Sequence, residues 1–278
     1  QFAFLTTGET YSPPYSNRFP AEQLTTMLTW SDLVLPINLR KELEDIKSWA
    51  QHGPVLLQDW GLERKVKKGY RALFHGPPGT GKTLTATLLG QAINVPVYRV
   101  DLSMMISKYI GETEKNLKSL FDRAENKNWI LFFDEADALF GRRTVGQNAN
   151  DRFANQQVAY LLQRIENYNG LIILSSNLKE GMDEAFSRRF ESVLFFPKPD
   201  VQQRLQLWEK YFTDDNFSVE AGVDFGDIAE EYEVTGGDII QILKFCSIRA
   251  ISRNTKALLL KDIREGIKRA YRRSGKSI

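Results

Sequence analysis

Little in this sequence points to metal, membrane or oxidising chemistry. The single cysteine, Cys246, leaves no partner for a disulfide within the chain, and two histidines are too few for a His-rich metal site. The longest apolar runs, such as "WILFF" at 129–133, fall far short of the roughly 20 residues that a membrane-spanning helix needs. No signal-peptide pattern is read at the N-terminus. The sequence begins at Gln1 and not at a methionine, which leaves room for a further N-terminal region. Neither sign of charge is in excess: 37 Lys plus Arg against 35 Asp plus Glu leave a net +2. That balance gives no argument by itself for nucleic acid or a membrane surface. A reducing cytoplasm and no membrane partner are expected.

What is present is the composition of an ordinary globular protein, with 278 residues that are 42% hydrophobic and 26% charged. This is enough chain for one large domain and a small one. Residues 1–28, with "TTGETYSPPYSNRFP", show no period and read as an arm or linker. "INLRKELEDIKSWA" then places Leu39, Leu43, Ile46 and Ala50 on one helical face, with Asn38 as the expected N-cap.

From there short apolar runs alternate with helical patterns. The strands expected are "RALFHG" (71–76), "VPVYRVD" (95–101), "ILFFDE" (130–135), "LIILSSN" (171–177) and "SVLFFP" (192–197). Leu117, Leu120, Phe121 and Ala124 form one helical stripe between them, and Val158, Leu161, Leu162 and Ile165 another. Near-continuous apolar strands separated by helices predict an α/β fold, a parallel five-stranded sheet covered on both faces. After "PKPD" the strand signals stop. Val201, Leu205, Trp208 and Phe212 follow Asp200 as cap; Ile239, Leu243, Cys246 and Ala250 mark a second helix; Leu260, Ile263, Ile267 and Tyr271 a third. The expected organisation is an arm (1–28), a large α/β domain (29–198) and a small all-α domain (199–278). No internal repeat is present.

"GPPGTGKT" (76–83) matches the P-loop pattern G-x-x-x-x-G-K-[ST] and sits between an expected strand and an expected helix. Gly79 and Gly81 let backbone N–H groups turn toward phosphate oxygens at a helix N-terminus. Lys82 can reach the β and γ phosphates, and the Thr83 hydroxyl can bind Mg²⁺. The same strand–loop–helix stretch extends the expected nucleotide contacts to Pro78, Thr80 and Leu84. "ILFFDEAD" ends a strand in Asp134, suited to hold Mg²⁺ through water, and Glu135, suited to polarise an attacking water. Asn177, ending the next strand, offers a neutral amide to orient that water. The guanine-reading pattern N-K-x-D is not met, because "NKNW" (126–129) lacks the aspartate. ATP is therefore expected over GTP.

Taken in order, "GPPGTGKT", "SKYIGETEKNLKSLFDRA", "LFFDEADALFGRR", "SSNLKEGMDEAFSRRF" and "VTGGDI" resemble the AAA+ ATPases of the clade with the second region of homology. The resemblance covers roughly residues 30–272. The run "DRFANQQVAYLLQRIENYNG" looks most like bacterial single-ring members, including those accompanying phage-tail-like contractile injection particles. The resemblance implies a hexameric ring with ATP between neighbours, and a small domain acting as a lid. "KYIG" would be a pore loop in which Tyr109, flanked by Lys108 and Ile110, grips an unfolded polypeptide. A Tyr ring suits that task, offering apolar area and a hydroxyl with few torsions to freeze. Taken alone, Tyr109 reads equally as a core residue. Arg188 and Arg189 would reach the neighbour's site as arginine fingers, and the sequence does not say which does the work. Gly236 and Gly237 would open a lid helix and admit adenine or ribose closely. Asp32, Leu33 and Val34 match the segment that closes over adenine, without the usual glycine pair. Residues 141–152 suit a second pore loop, with Arg152 a contact between subunits, and suit a solvated loop nearly as well.

The function expected is ATP hydrolysis, with Mg²⁺, driving the remodelling of a protein client. A nucleic-acid motor on the same fold would need basic pore residues or an added module, which the near-neutral charge and aromatic loop speak against. A nucleotide-binding scaffold would replace Glu135, Asn177 or the arginines, and none is replaced. A zinc protease is set aside for want of an H-E-x-x-H motif in this sequence.

Overall fold

The computed structural model describes residues 21–102, 112–139, 149–177 and 187–275. They divide into two compact units. The first takes the described residues of 1–27, 41–75 and 83–195; the second takes 28–40, 76–82 and those of 196–278.

In chain order, the elements of the first unit are β1 (Ala21–Leu24), α1 (Ile37–Gln58, whose first residues belong to the second unit), β2 (Tyr70–His75) and α2 (Lys82–Ala92). These are followed by β3 (Val97–Val100), α3 (Glu112–Lys127), β4 (Ile130–Phe133), α4 (Ala149–Asn167), β5 (Leu171–Ser176) and β6 (Ser192–Phe195). The sheet has six strands in the order β1-β3-β4-β5-β2-β6. The five expected strands are mutually parallel, in keeping with their near-continuous apolar runs. The sixth, β1, pairs antiparallel with β3, Ala21 opposite Val100 and Leu24 opposite Val97. It falls in the stretch read as an arm. Only Ala21 of its four residues is buried, so no alternating pattern betrays it.

Alternation sorts the strands' side chains between two faces. Leu73, Tyr98, Leu131, Phe133, Ile172 and Leu174 share one core with Leu117, Leu120, Phe121 and Ala124 of α3 and with Leu161 and Ile165 of α4. The intervening Ala72, Phe74, Ile130, Phe132 and Ile173 are equally buried. So are Leu43 and Ile46 of α1 and Leu88 and Leu89 of α2. Inside the first core Tyr98 stacks on Trp129 at 3.9 Å between ring centroids. The Tyr168 hydroxyl donates to the Trp129 carbonyl at 2.5 Å, and burial raises its pKa. Helix α1 begins one residue before the expected cap: the carbonyl of Pro36 accepts the first bond, from Arg40 N–H, so Asn38 lies within the first turn.

The second unit adds α5 (Val201–Phe212), β7 (Ser218–Val219), α6 (Phe225–Glu231), α7 (Gly236–Ser252), β8 (Ala257–Leu258) and α8 (Leu260–Arg273). Asp200 caps α5 as expected, in a reciprocal box with Gln203. Trp208, Phe212, Ile239, Ile242, Cys246, Ile263 and Ile267 make one core, while Val201, expected on that stripe, is exposed. Burial pushes the Cys246 thiol up to about 12, which leaves it a small hydrophobe and not a nucleophile. The two-residue strands β7 and β8 pair in parallel, too short to be read from the sequence.

Candidate functional site

In the second unit the 76–82 loop, the 29–36 segment and the start of α7 come together. Gly79 and Gly81 both have positive φ, 76° and 98°, a region an L side chain enters only with strain. At Gly79 space is as restrictive as conformation. A Cβ there would meet Thr235 Oγ1 at 2.5 Å, and one on Gly237 would meet Gly79 Cα at 2.9 Å. The missing side chains let the Gly237 N–H donate to the Gly79 carbonyl at 3.0 Å. Thr235 caps α7, its hydroxyl accepting from Asp238 N–H and donating to the Asp238 carboxylate. The T-x-x-D spacing of that box was legible, but its closeness to Gly79 was not.

Lys82 is 6% exposed, and its Nζ donates to the carbonyls of Gly76 at 2.7 Å and Pro77 at 2.9 Å. Thr80 ties back to Pro77 through its hydroxyl at 2.9 Å. A buried ammonium at the N-terminus of the 11-residue α2 makes this loop electropositive and suited to an anion. Pro78 is exposed, and Thr83 and Leu84 lie half-buried in the first turn of α2.

Asp32, Leu33 and Val34 sit where the chain enters α1. The Asp32 carboxylate accepts from the backbone N–H and the hydroxyl of Thr29, at 2.6 and 2.8 Å, and pairs with Lys210 of α5 at 3.1 Å. These contacts lower its pKa, the Thr29 hydrogen bonds contributing most and Lys210 next. Its side chain is thus a cap and an anchor. The Leu33 carbonyl accepts from Arg40 at 2.6 Å, and Val34 packs on the helical core.

The first unit holds the acidic residues. Asp134 and Glu135 follow β4, and Asn177 follows the neighbouring β5; β2, on the other side of β5, runs directly into the 76–82 loop. Asp134 is half-buried and accepts from Glu135 N–H at 3.1 Å. Glu135 is exposed and adopts φ of 50°, a conformation that costs a non-glycine residue on the order of 1 kcal/mol or more. Such strain clusters where a carboxylate has to be aimed. Asp137, on the next turn, was not singled out from the sequence. It accepts from the Ser176 hydroxyl at 2.5 Å and from Asn177 N–H at 3.1 Å, fastening the end of β5 to the loop that carries Glu135. A carboxylate two residues past a strand-end acidic pair was the only signal available. Asp137→Ala is expected to lower the turnover number on the order of 10- to 100-fold, by loosening the placement of Asn177. Steady-state kinetics check this, and an unchanged turnover number removes the role.

Arg188 and Arg189 are exposed on a turn just before β6, and Arg189 pairs with Glu166 at the end of α4 at 2.6 Å. Lys108, Tyr109 and Ile110 lie outside the described residues, and Arg152 outside those whose side chains are described. Among the described residues no cluster of three or more His, Cys, Asp or Glu could cage a metal. The hydroxyl of Thr83 and the carboxylate of Asp134 are oxygen donors that suit Mg²⁺, an ion that keeps several waters.

Residues 72–198 match the ATPase family associated with various cellular activities (AAA). An uncharacterized AAA family ATPase, y4kL, of Sinorhizobium fredii is 34% identical over 177 residues, 63% of this chain and 49% of that protein. A proteasome-activating nucleotidase of Methanosphaerula palustris is 29% identical over 242 residues, 83% of this chain and 57% of that protein. The ATP-dependent zinc metalloprotease FtsH 3 of Symbiobacterium thermophilum is 26% identical over 250 residues, 87% of this chain and 39% of that protein. The chain spans about half the length of the curated relatives it matches.

Proposed function

We propose that this chain, whose residues 72–198 carry an AAA-family ATPase domain using ATP with Mg²⁺, drives the remodelling of a protein client. The observation that carries the nucleotide reading is the P-loop drawn against the start of α7, with the Gly237 N–H on the Gly79 carbonyl. That hydrogen bond links the phosphate loop to the first turn of α7.

The chain's residues divide the work. Lys82 and the loop N–H groups bind phosphate; Thr83 and Asp134 hold the metal and its waters. Glu135 takes up the proton of the attacking water, and Asn177, steadied by Asp137, orients it. Leu33, Val34 and Gly236 with Gly237 border the base and ribose. Arg188 and Arg189 act on the site of a neighbouring copy in a homo-oligomeric ring, a hexamer by resemblance, and neutralise charge in the transition state. The large domain spans 29–198 and the small helical lid 199–278.

The protein client is supported by the names of two relatives, a proteasome-activating nucleotidase and a 26S proteasome regulatory subunit 6B homolog, and by the "KYIG" loop. Tyr109, with Lys108 and Ile110, grips polypeptide in the central pore. The "DRFANQQVAYLLQRIENYNG" run supports a place among bacterial single-ring members of the clade, including those beside contractile injection particles. A reducing cytoplasm suits the lone buried Cys246, and no described helix is long and apolar enough to cross a membrane.

Tyr109→Ala tests the client reading. The variant is expected to melt at the wild-type temperature, bind ATP and keep its basal hydrolysis, while unfolded casein no longer stimulates it. A core tyrosine would instead leave a cavity costing roughly 3–5 kcal/mol, and melting temperature and ATP binding would fall together. That result, or undiminished stimulation by casein, removes the pore-loop role.

A further inference from the structure

A charged pair with several hydrogen bonds in the first unit lies just beside the arginine turn, and nothing in the nucleotide reading uses it. Arg71, in β2, is 2% exposed, next to the fully buried apolar Ala72, Leu73 and Phe74 of the same strand. Its guanidinium meets Glu191, two residues beyond Arg189, with both prongs: Nε donates at 3.1 Å to one carboxylate oxygen and Nη2 to the other. The same carboxylate accepts from the Arg71 backbone N–H at 2.7 Å, and Glu191 N–H donates to the Arg71 carbonyl at 2.9 Å. The third arm, Nη1, donates to the Glu166 carbonyl at 2.8 Å. The side chain of that same Glu166 holds Arg189 at 2.6 Å. Glu191 lies two residues from the arginine pair and Glu166 holds Arg189 directly, while a longer bond from Nη2 to the Gly69 carbonyl, at 3.4 Å, ties the guanidinium to the start of β2.

A buried guanidinium is a poor way to gain stability. Its desolvation offsets most of the attraction, and replacing such a pair by apolar side chains of similar volume is often neutral or stabilising. What the forked, planar contact supplies is direction, because it fixes both partners in one plane and one register.

We propose that Arg71 and Glu191 are positioning residues for the arginine pair, a clamp from β2 that sets where the 188–189 turn leaves the sheet. Glu166 extends the clamp to Arg189 directly. The proposal rests on the reading that Arg188 and Arg189 act on a neighbour's nucleotide. A group meant to reach across a subunit boundary has to leave its own subunit from a fixed point, since a misplacement of about 1 Å can cost on the order of 10²-fold in rate.

The test is the apolar double variant Arg71→Met/Glu191→Leu of the full chain, assayed for thermal melting, KM for ATP and kcat. The expected result is a melting temperature at or above wild type, KM within about twofold, and kcat lowered about 10- to 100-fold. A folded double variant with wild-type kcat overturns the proposal, since the pair would then be structural only. Arg71→Lys is the second variant, needed if the double variant does not fold. It keeps the charge and loses the fork, so it too should lower kcat without moving KM; full activity there overturns the clamp. Arg188→Ala/Arg189→Ala runs beside them. A wild-type rate in that variant removes the arginine-finger reading and the clamp with it. A large loss there with none in the Arg71 variants removes the clamp alone.

Discussion

The Arg188→Ala/Arg189→Ala double variant is expected to hydrolyse ATP on the order of 10³-fold more slowly than wild type or worse, the usual worth of an arginine finger. The size of the effect follows from where the charge builds. Phosphoryl transfer leaves negative charge on equatorial oxygens, and a guanidinium in a water-poor interface meets it with little screening. Both side chains are exposed on a turn of their own unit, which suits a role outside it. Mixing decides where they act. The double variant keeps an intact P-loop, while Lys82→Ala keeps intact arginines, so in the proposed oligomer a mixture would contain interfaces with one good copy of each. Activity in the mixture above the mean of the two parents is the expected outcome. A mixture equal to that mean, with co-assembly proven, rules out shared sites. The Glu166 contact bears on Arg189, which has to leave a 2.6 Å ion pair to reach a neighbour.

Glu135→Gln should separate binding from chemistry. The amide keeps the size of the carboxylate and removes its basicity, so turnover is expected to fall roughly 10²- to 10⁴-fold while ATP affinity holds. Lys82→Ala should do the reverse and weaken binding itself, since Lys82 is the buried cation of the phosphate loop. The left-handed backbone at Glu135, φ 50°, is kept in the glutamine variant, so its melting temperature should match wild type. Turnover by Glu135→Gln at the wild-type rate would strip Glu135 of the role of base. The same variant, by holding ATP, is also the natural trap for a client that associates only with the ATP-bound form.

The P-loop was legible because its chemistry is local. Two glycines, a lysine and a threonine at fixed offsets specify a turn and a helix start with no reference to the rest of the chain. The apolar runs of β2 to β6 were legible for the same reason. Burial on both faces, most complete in β2, β4 and β5, writes itself as near-continuous hydrophobicity. Strand β1 left no such trace, since an edge strand of four residues with one buried side chain has neither run nor alternation. The helix caps split along the same line. Asp200 sits one residue ahead of a clear stripe and caps its helix, whereas α1 opens on the carbonyl of Pro36, ahead of the expected cap Asn38.

The chemistry this chain can offer is written in its residues: a phosphate loop, paired acids at a strand end, an amide after the next strand and two adjacent arginines. How those groups are held depends on contacts far apart in the chain. Asp137 meets Asn177 across 40 residues, Arg71 meets Glu191 across 120, and Gly237 meets Gly79 across the greater part of the chain. Periodicity and motif spacing report on neighbours within a turn or a pleat, because that is the reach of a side chain along its own element. A hydrogen bond between strands joined by a long crossover depends on sheet order and register. Those are set by the summed burial of all strands and not by either partner.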